Sequence, residues 1–213
     1  YGKKIVYLTF DDGPSENTGE ILKILEKYDV PATFFVTGNQ PNYNKFMKEA
    51  AEKGHTIGLH TYSHKYDQLY SSEQAYFEDL QKISDLVEQE TGVKADCIRF
   101  PGGSSNSMSA EYSKGLMTRL VAAVHEAGYQ YFDWNADSTD ASGNGVSVDQ
   151  IIANSTAPIA SDMQRVNILF HDTDAKDTTV EALPAIIEAY RDAGYVFRGV
   201  SKDGFAPHHQ VSN

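Results

Sequence analysis

Short apolar runs alternate with amphipathic helical stretches from one end of this sequence to the other, and that alternation restricts the chain to βα units on a parallel sheet. Strands are predicted near 5–10, 33–37, 56–60, 97–100, 129–134, 166–171 and 195–199, seven in all. Asn17 and Glu20 have capping-box spacing, so a first helix is expected to start at Asn17 and to turn Ile21, Ile24, Leu25 and Tyr28 to one face. A longer helix is expected to open at Ser71 and to bury Tyr76, Leu80, Ile83 and Val87. Gly54, Gly92, Gly128 and Gly194 each follow a helical pattern, and glycine just past a helix end accommodates the left-handed conformation that stops it. Pro184 either kinks the last helix or delays its start, and 141–148 (ASGNGVSV) is expected to be a loop. The strand starts are unevenly spaced, which excludes a solenoid repeat. No Gly-, Pro- or Ser-rich linker divides residues 1–213, so a single α/β domain is predicted, either a (β/α) barrel or an open doubly wound sheet.

Composition narrows the partners. Eighteen basic against thirty acidic residues give a formal charge of −12, which repels phosphate backbones and anionic lipid surfaces and argues against nucleic acid. Cys97 is the only cysteine, so internal disulfides and thiolate clusters are excluded and any metal site must use His, Asp and Glu. No run of eighteen apolar residues is present, and no membrane insertion is expected. Tyr1 to Phe10 lack the pattern of a signal peptide, which leaves the compartment open.

The reactive side chains share one position. Asp11, Asp12, His60, Arg99, Asp137 and His171 all fall at or just beyond the C-terminal end of a predicted strand, the rim where barrels of parallel strands assemble their catalytic groups. Asp11 and Asp12 point to opposite sides of a straight strand, so both serve one site only if the chain turns there, and Gly13 and Pro14 supply that turn. Alone, this segment is equally an ordinary acidic turn. His60 and His64, four apart, can aim two imidazoles at one point. With a carboxylate from another strand end they form a two-nitrogen, one-oxygen set that leaves a position open for water. Arg99 before Pro101, Gly102 and Gly103 is either a surface ion pair at a turn or a side chain beside backbone bare enough for a ligand to approach. His171 is either a ligand-facing group or a strand-end histidine bonded to a carbonyl.

Taken together, the set resembles the polysaccharide deacetylases of the NodB-homology type, carbohydrate esterase family 4. Five motifs occur in family order: T-F-D-D-G over Thr9 to Gly13, H-T-Y-S-H over His60 to His64, R-F-P-G-G over Arg99 to Gly103, D-x-x-D over Asp137 to Asp140, and L-F-H over Leu169 to His171. The resemblance implies a distorted (β/α)7 barrel that is one catalytic domain. It also implies a divalent ion on Asp12, His60 and His64, zinc first and Co2+, Mn2+ or Ni2+ as alternatives. By the same resemblance Asp11 is the general base, oriented by Arg99, and His171 the general acid, paired with Asp137. Pro101, Gly102 and Leu169 line the substrate pocket.

The implied reaction removes the acetyl group from N-acetylglucosamine units of a polysaccharide, with bacterial peptidoglycan as first choice and chitin oligomers as second. A monomer working outside the cell or at its wall is expected, excised from a longer precursor. Two positions depart from the family: Gly102 replaces an aromatic residue common in the third motif, predicting a more open site, and Ala141 replaces the tryptophan that ends the fourth. Trp134 is a candidate replacement for that second wall, with simple packing as its ordinary role. The rival readings are an acetylxylan-type O-acetyl esterase, a non-catalytic sugar-binding domain and a two-metal phosphoesterase.

Overall fold

A computed structural model describes residues 2–213. Its sheet is built on β1 (Ile5–Asp11), which pairs in parallel with β2 (Thr33–Val36) on one side and along its whole length with β7 (Arg165–His171) on the other. β3 (Thr56–Leu59), β4 (Cys97–Ile98) and β5 (Gln130–Tyr131) continue outward from β2, and β6 (Ala136–Asp137) flanks β7. β8 (Val196–Phe197) pairs with the first residues of β1. Every pairing is parallel, and the result is a distorted (β/α)7 barrel in one domain with a short eighth strand.

That extra strand is β6, which the sequence does not predict. Instead of one strand over 129–134, the chain leaves the sheet after Tyr131 and rejoins it beside β7, where Ala136 pairs with Ile168. The reason lies in the Arg99 side chain, which takes the carbonyls of Phe132 and Asp133 (3.1 and 2.9 Å) that would otherwise extend a ladder. Asn135 completes the crossing: its N–H donates to Asn167 O at 3.1 Å, and its side-chain oxygen accepts from Asn167 N at 2.7 Å.

Between strands run α1 (Glu16–Tyr28), α2 (Lys45–Glu52), the single turn α3 (Tyr66–Leu69), α4 (Glu73–Thr91), α5 (Leu116–Glu126), α6 (Val148–Ala160) and α7 (Asp177–Asp192). The caps fall close to the expected places. Ser15 caps α1 and shares a capping box with Thr18, while Asn17 donates to Thr173 O and Asp177 instead. Ser72, one residue past the expected Ser71, caps α4. Gly54, Gly92, Gly128 and Gly194 all have positive φ, as predicted. α7 runs through Pro184 without starting late. Among the described residues no helix is long and apolar enough to cross a membrane.

Alternation along the strands sorts side chains into two layers. Phe10 stacks between Phe34 and Phe170, at centroid distances of 5.3 and 5.2 Å, in the layer beneath the helices. Tyr7, Phe35, Cys97, Phe132 and Val200 fill the base of the barrel interior, and polar groups replace them towards its mouth.

Candidate metal centre and catalytic site

Arg99 organises the interior. It is fully buried, and each of its five N–H groups has an acceptor: Nε gives to Phe132 O, Nη1 to Thr9 Oγ1 and Asp11 Oδ1 (2.7 and 2.9 Å), and Nη2 to Asp133 O and Asn167 Oδ1 (2.9 and 3.0 Å). A buried guanidinium is tolerated only with such complete pairing. Asp11 is thereby held at the end of β1 by one oxygen, and no protein donor among the described residues reaches the other.

The strand ends at Asp11, and Asp12 takes a φ of 79°. This reversal brings two neighbouring carboxylates to one site, as the Gly13–Pro14 turn predicts. Gly13 is needed for another reason as well: a Cβ there would lie 2.2 Å from Asp172 Oδ2. Asp172 is buried and accepts from Gly13 N at 2.9 Å and Thr18 Oγ1 at 2.7 Å, so it clamps the turn to α1. Burial pushes its carboxyl up to about 7.

Asp12 Oδ1 lies 3.1 Å from His60 Nε2 and 3.2 Å from His64 Nε2. His60 Nδ1 is 2.7 Å from Arg99 O; a carbonyl only accepts, so Nδ1 carries the proton and Nε2 of the neutral ring turns its lone pair towards Asp12. Asp12 Oδ1 is buried and has no hydrogen-bond partner among the described residues. One ligand atom from each of the three residues lies within 4.8 Å of the others. An orphaned carboxylate oxygen facing an imidazole lone pair suits a divalent cation, and the donor set of two nitrogens and one oxygen is that of open zinc sites.

His64 itself sits at a φ of 53° in a loop tied down by Asp79 of α4. Asp79 accepts from Tyr62 N, Ser63 N and Ser63 Oγ (2.8, 3.1 and 2.7 Å) and from the Thr61 hydroxyl. Thr61 in turn accepts from His64 N.

Across the mouth, His171 ends β7 with Nε2 3.9 Å from Asp12 Oδ2. Its partner is Asp140, not the predicted Asp137. Asp140 is buried; its Oδ1 lies 2.8 Å from His171 Nδ1, and its Oδ2 accepts from His171 N and Thr179 Oγ1, both at 2.8 Å. Asp137 is exposed on β6 and accepts from Thr139 N at 2.8 Å, starting a turn that passes through Thr139 at φ 62° and delivers Asp140 instead. Burial disfavours a charged His171, but the Asp140 hydrogen bond and charge prevail and push the imidazole up to about 9.

The third motif forms the remaining wall. Gly102 is exposed, with a φ of 78°. Next to it, Ser104 N donates to Asp133 Oδ1 at 2.8 Å. Asp133 is fully buried, and its other oxygen accepts from His209 N at 2.8 Å. The C-terminal segment is therefore no loose tail: Pro207 O accepts from Asp133 N at 2.8 Å, and the His208 ring stacks on Tyr131 with centroids 3.7 Å apart. Trp134 packs against this loop rather than at Ala141. A Cβ on Gly103 would meet its ring at 2.8 Å, and its carbonyl accepts from His209 Nε2 at 2.6 Å. Leu169 is nearly buried beside β6, and Pro101 O accepts the Tyr70 hydroxyl. Asp79, Asp133, Asp140 and Asp172 are the site residues that sequence reasoning missed. Of these only Asp140 carried a signal, as the second carboxylate of D-x-x-D.

The polysaccharide deacetylase pattern matches residues 1–131. The chain belongs to that family. It is 35% identical over 212 residues to the putative polysaccharide deacetylase YheN of Bacillus subtilis, covering 98% of this chain and 71% of the relative. It is 32% identical over 209 residues to a peptidoglycan-N-acetylglucosamine deacetylase of Bacillus cereus, covering 96% and 72%. Its structure matches the catalytic domain of peptidoglycan N-acetylglucosamine deacetylase from Eubacterium rectale with a TM-score of 0.96 and 42% identity, covering 100% and 95% of the two chains. In this polysaccharide deacetylase the matched pattern holds Asp11, Asp12, His60, His64 and Arg99. His171 and Asp140 lie beyond it and reach the same mouth because β7 pairs with β1.

Proposed function

We propose that this polysaccharide deacetylase is a metal-dependent N-deacetylase that hydrolyses the acetamide of N-acetylglucosamine units, in peptidoglycan first and chitin oligomers second. The observation that carries the metal dependence is the buried Asp12 oxygen, which has no donor among the described residues and is set against the His60 and His64 nitrogens. A divalent ion bound there, zinc by preference, supplies Lewis acidity that polarises the acetyl carbonyl and acidifies water.

The chain's own groups provide the rest. Asp11, held on one oxygen by Arg99, takes a proton from the attacking water with the other. The exposed Gly102 N–H donates to the tetrahedral oxyanion. His171 then gives its Nε2 proton to the departing nitrogen, and Asp140 on Nδ1 keeps the ring protonated and oriented for that step. Leu169 lines the acetyl pocket, with Pro101 beside it. The names of the Bacillus cereus and Eubacterium rectale proteins support peptidoglycan as the polymer, and a wall polymer is met outside the cell.

Acetate release tests this. Peptidoglycan, N-acetylglucosamine oligomers and acetylxylan are offered to the zinc-loaded protein and to protein treated with a chelator. Release from the N-acetylated polymers, abolished by the chelator and restored by zinc, is expected. Release from acetylxylan alone would convert the reading to an O-acetyl esterase, and release from none to a sugar-binding domain.

A further inference from the structure

Gly102 leaves the third-motif loop without a side chain at this position, and a phenol from the loop that carries His64 borders that space. A Cβ on Gly102 would lie 3.6 Å from the Tyr66 hydroxyl. At its other end the Tyr66 ring meets His64 edge to face, with centroids 5.4 Å apart and planes at 70°. The side chain therefore bridges from His64 to the Gly102 backbone. The more open site predicted from Gly102 is narrowed by a residue two positions beyond His64.

Its surroundings hold it still. Tyr66 opens α3 and stacks on Tyr70, with centroids 5.8 Å apart at 25°. Tyr70 is buried and its hydroxyl donates to Pro101 O at 2.7 Å, which ties the stack to the third motif itself. A ring already fixed in place loses little entropy when a ligand packs on it.

The polar end is different. Tyr70, Tyr190 and Tyr195 all donate their hydroxyls to backbone carbonyls. The Tyr66 hydroxyl has no partner among the described residues, although its ring is half-buried at the mouth. A locked ring with a free donor beside bare backbone is suited to a ligand with both an apolar face and hydroxyl groups, as a hexosamine has.

We infer that Tyr66 is a specificity-determining residue that contacts the sugar unit carrying the acetyl group, its ring forming a wall beside Gly102 and its hydroxyl bonding a sugar oxygen. This rests on the deacetylase reading above. It assigns Tyr66 to the sugar and not to the acetyl carbonyl, so a substrate with an acetyl group but no sugar separates the two.

The test compares the zinc-loaded protein, Tyr66→Phe and Tyr66→Ala on an N-acetylglucosamine tetramer and on 4-nitrophenyl acetate. Tyr66→Phe should raise KM for the tetramer about 3–10-fold by losing one neutral hydrogen bond. Tyr66→Ala should raise it about 10–50-fold by losing the wall as well. In both variants the loss on the tetramer should exceed the loss on the ester at least about fivefold, with zinc content retained. Equal losses on the two substrates, a tetramer KM unmoved in Tyr66→Ala, or loss of zinc would each overturn the assignment. Failure of the unsubstituted protein to release acetate from the tetramer would sink the deacetylase reading and this inference together, and it appears before any substitution is made.

Discussion

On β1 the outward side chains Val6, Leu8 and Phe10 share a buried cluster with Ile21 and Leu25 of α1 and Leu183 and Ile186 of α7. The inward ones run Tyr7, Thr9, Asp11, from hydrocarbon at the base to carboxylate at the mouth. The outer face stabilises by area removed from water, where any well-fitting apolar group serves. The inner face places a guanidinium and carboxylates in a buried interior, where each must find its partner or cost roughly several kcal/mol. The strand thus separates stability from chemistry by side-chain parity alone.

The sharpest way to break that division is at the mouth. Asp12→Ala or His60→Ala should abolish zinc binding and lower acetate release by about a thousandfold or more, with metal content read by elemental analysis alongside turnover. Asp11→Asn should separate the two properties: zinc stays, and turnover falls by about 10²–10⁴. If that variant kept its rate, the inner face would hold no base at Asp11. On the outer face Phe10→Ala should do the reverse, lowering stability by about 3–5 kcal/mol in denaturant unfolding. The fraction still folded should retain its turnover and zinc.

A smaller effect is expected in pH. His171 must be protonated to act as an acid, and its imidazole is pushed up to about 9. The alkaline limb should therefore be a loss of activity as pH rises through that value. A bound cation offsets the push from Asp11 and Asp12, so the limb lies at or below about 9. Asp140→Asn removes the main cause and should move the limb down towards the ordinary histidine value. A limb that stayed put in the rate profile would dismiss Asp140 as the partner. Smallest of all, His209→Ala removes the side-chain bonds to Trp134 and Ser105. It should lower kcat for the tetramer about 3–10-fold through a looser Gly102 loop, with zinc content unchanged.

Local pattern made much of this legible. Asp12, His60 and His64 were readable because strand end, turn and four-residue spacing lie within a few residues of one another. The helix stops at Gly54, Gly92, Gly128 and Gly194 were readable for the same reason. The pairing of His171 was not. Asp137 and Asp140 are three apart, and which one reaches the imidazole depends on the backbone sign at Thr139 and on Thr179 arriving from α7. Asp79 and Asp172 resemble surface acids in sequence, because their acceptors' work, holding the His64 loop and the Asp12 turn, is set by segments 16 or more residues away.

From the sequence alone came the parallel α/β layering, the rim position of the reactive groups and the candidate cation ligands, since periodicity and short motifs are local properties of the chain. Tertiary structure decided the crossing at 132–135 that adds β6, the choice of Asp140, the clamp of Asp133 on His209 and the placement of Tyr66 against Gly102. Each of these is a contact between segments brought together only when the barrel curls. Burial there forces every polar atom to be matched by whatever donor the fold delivers.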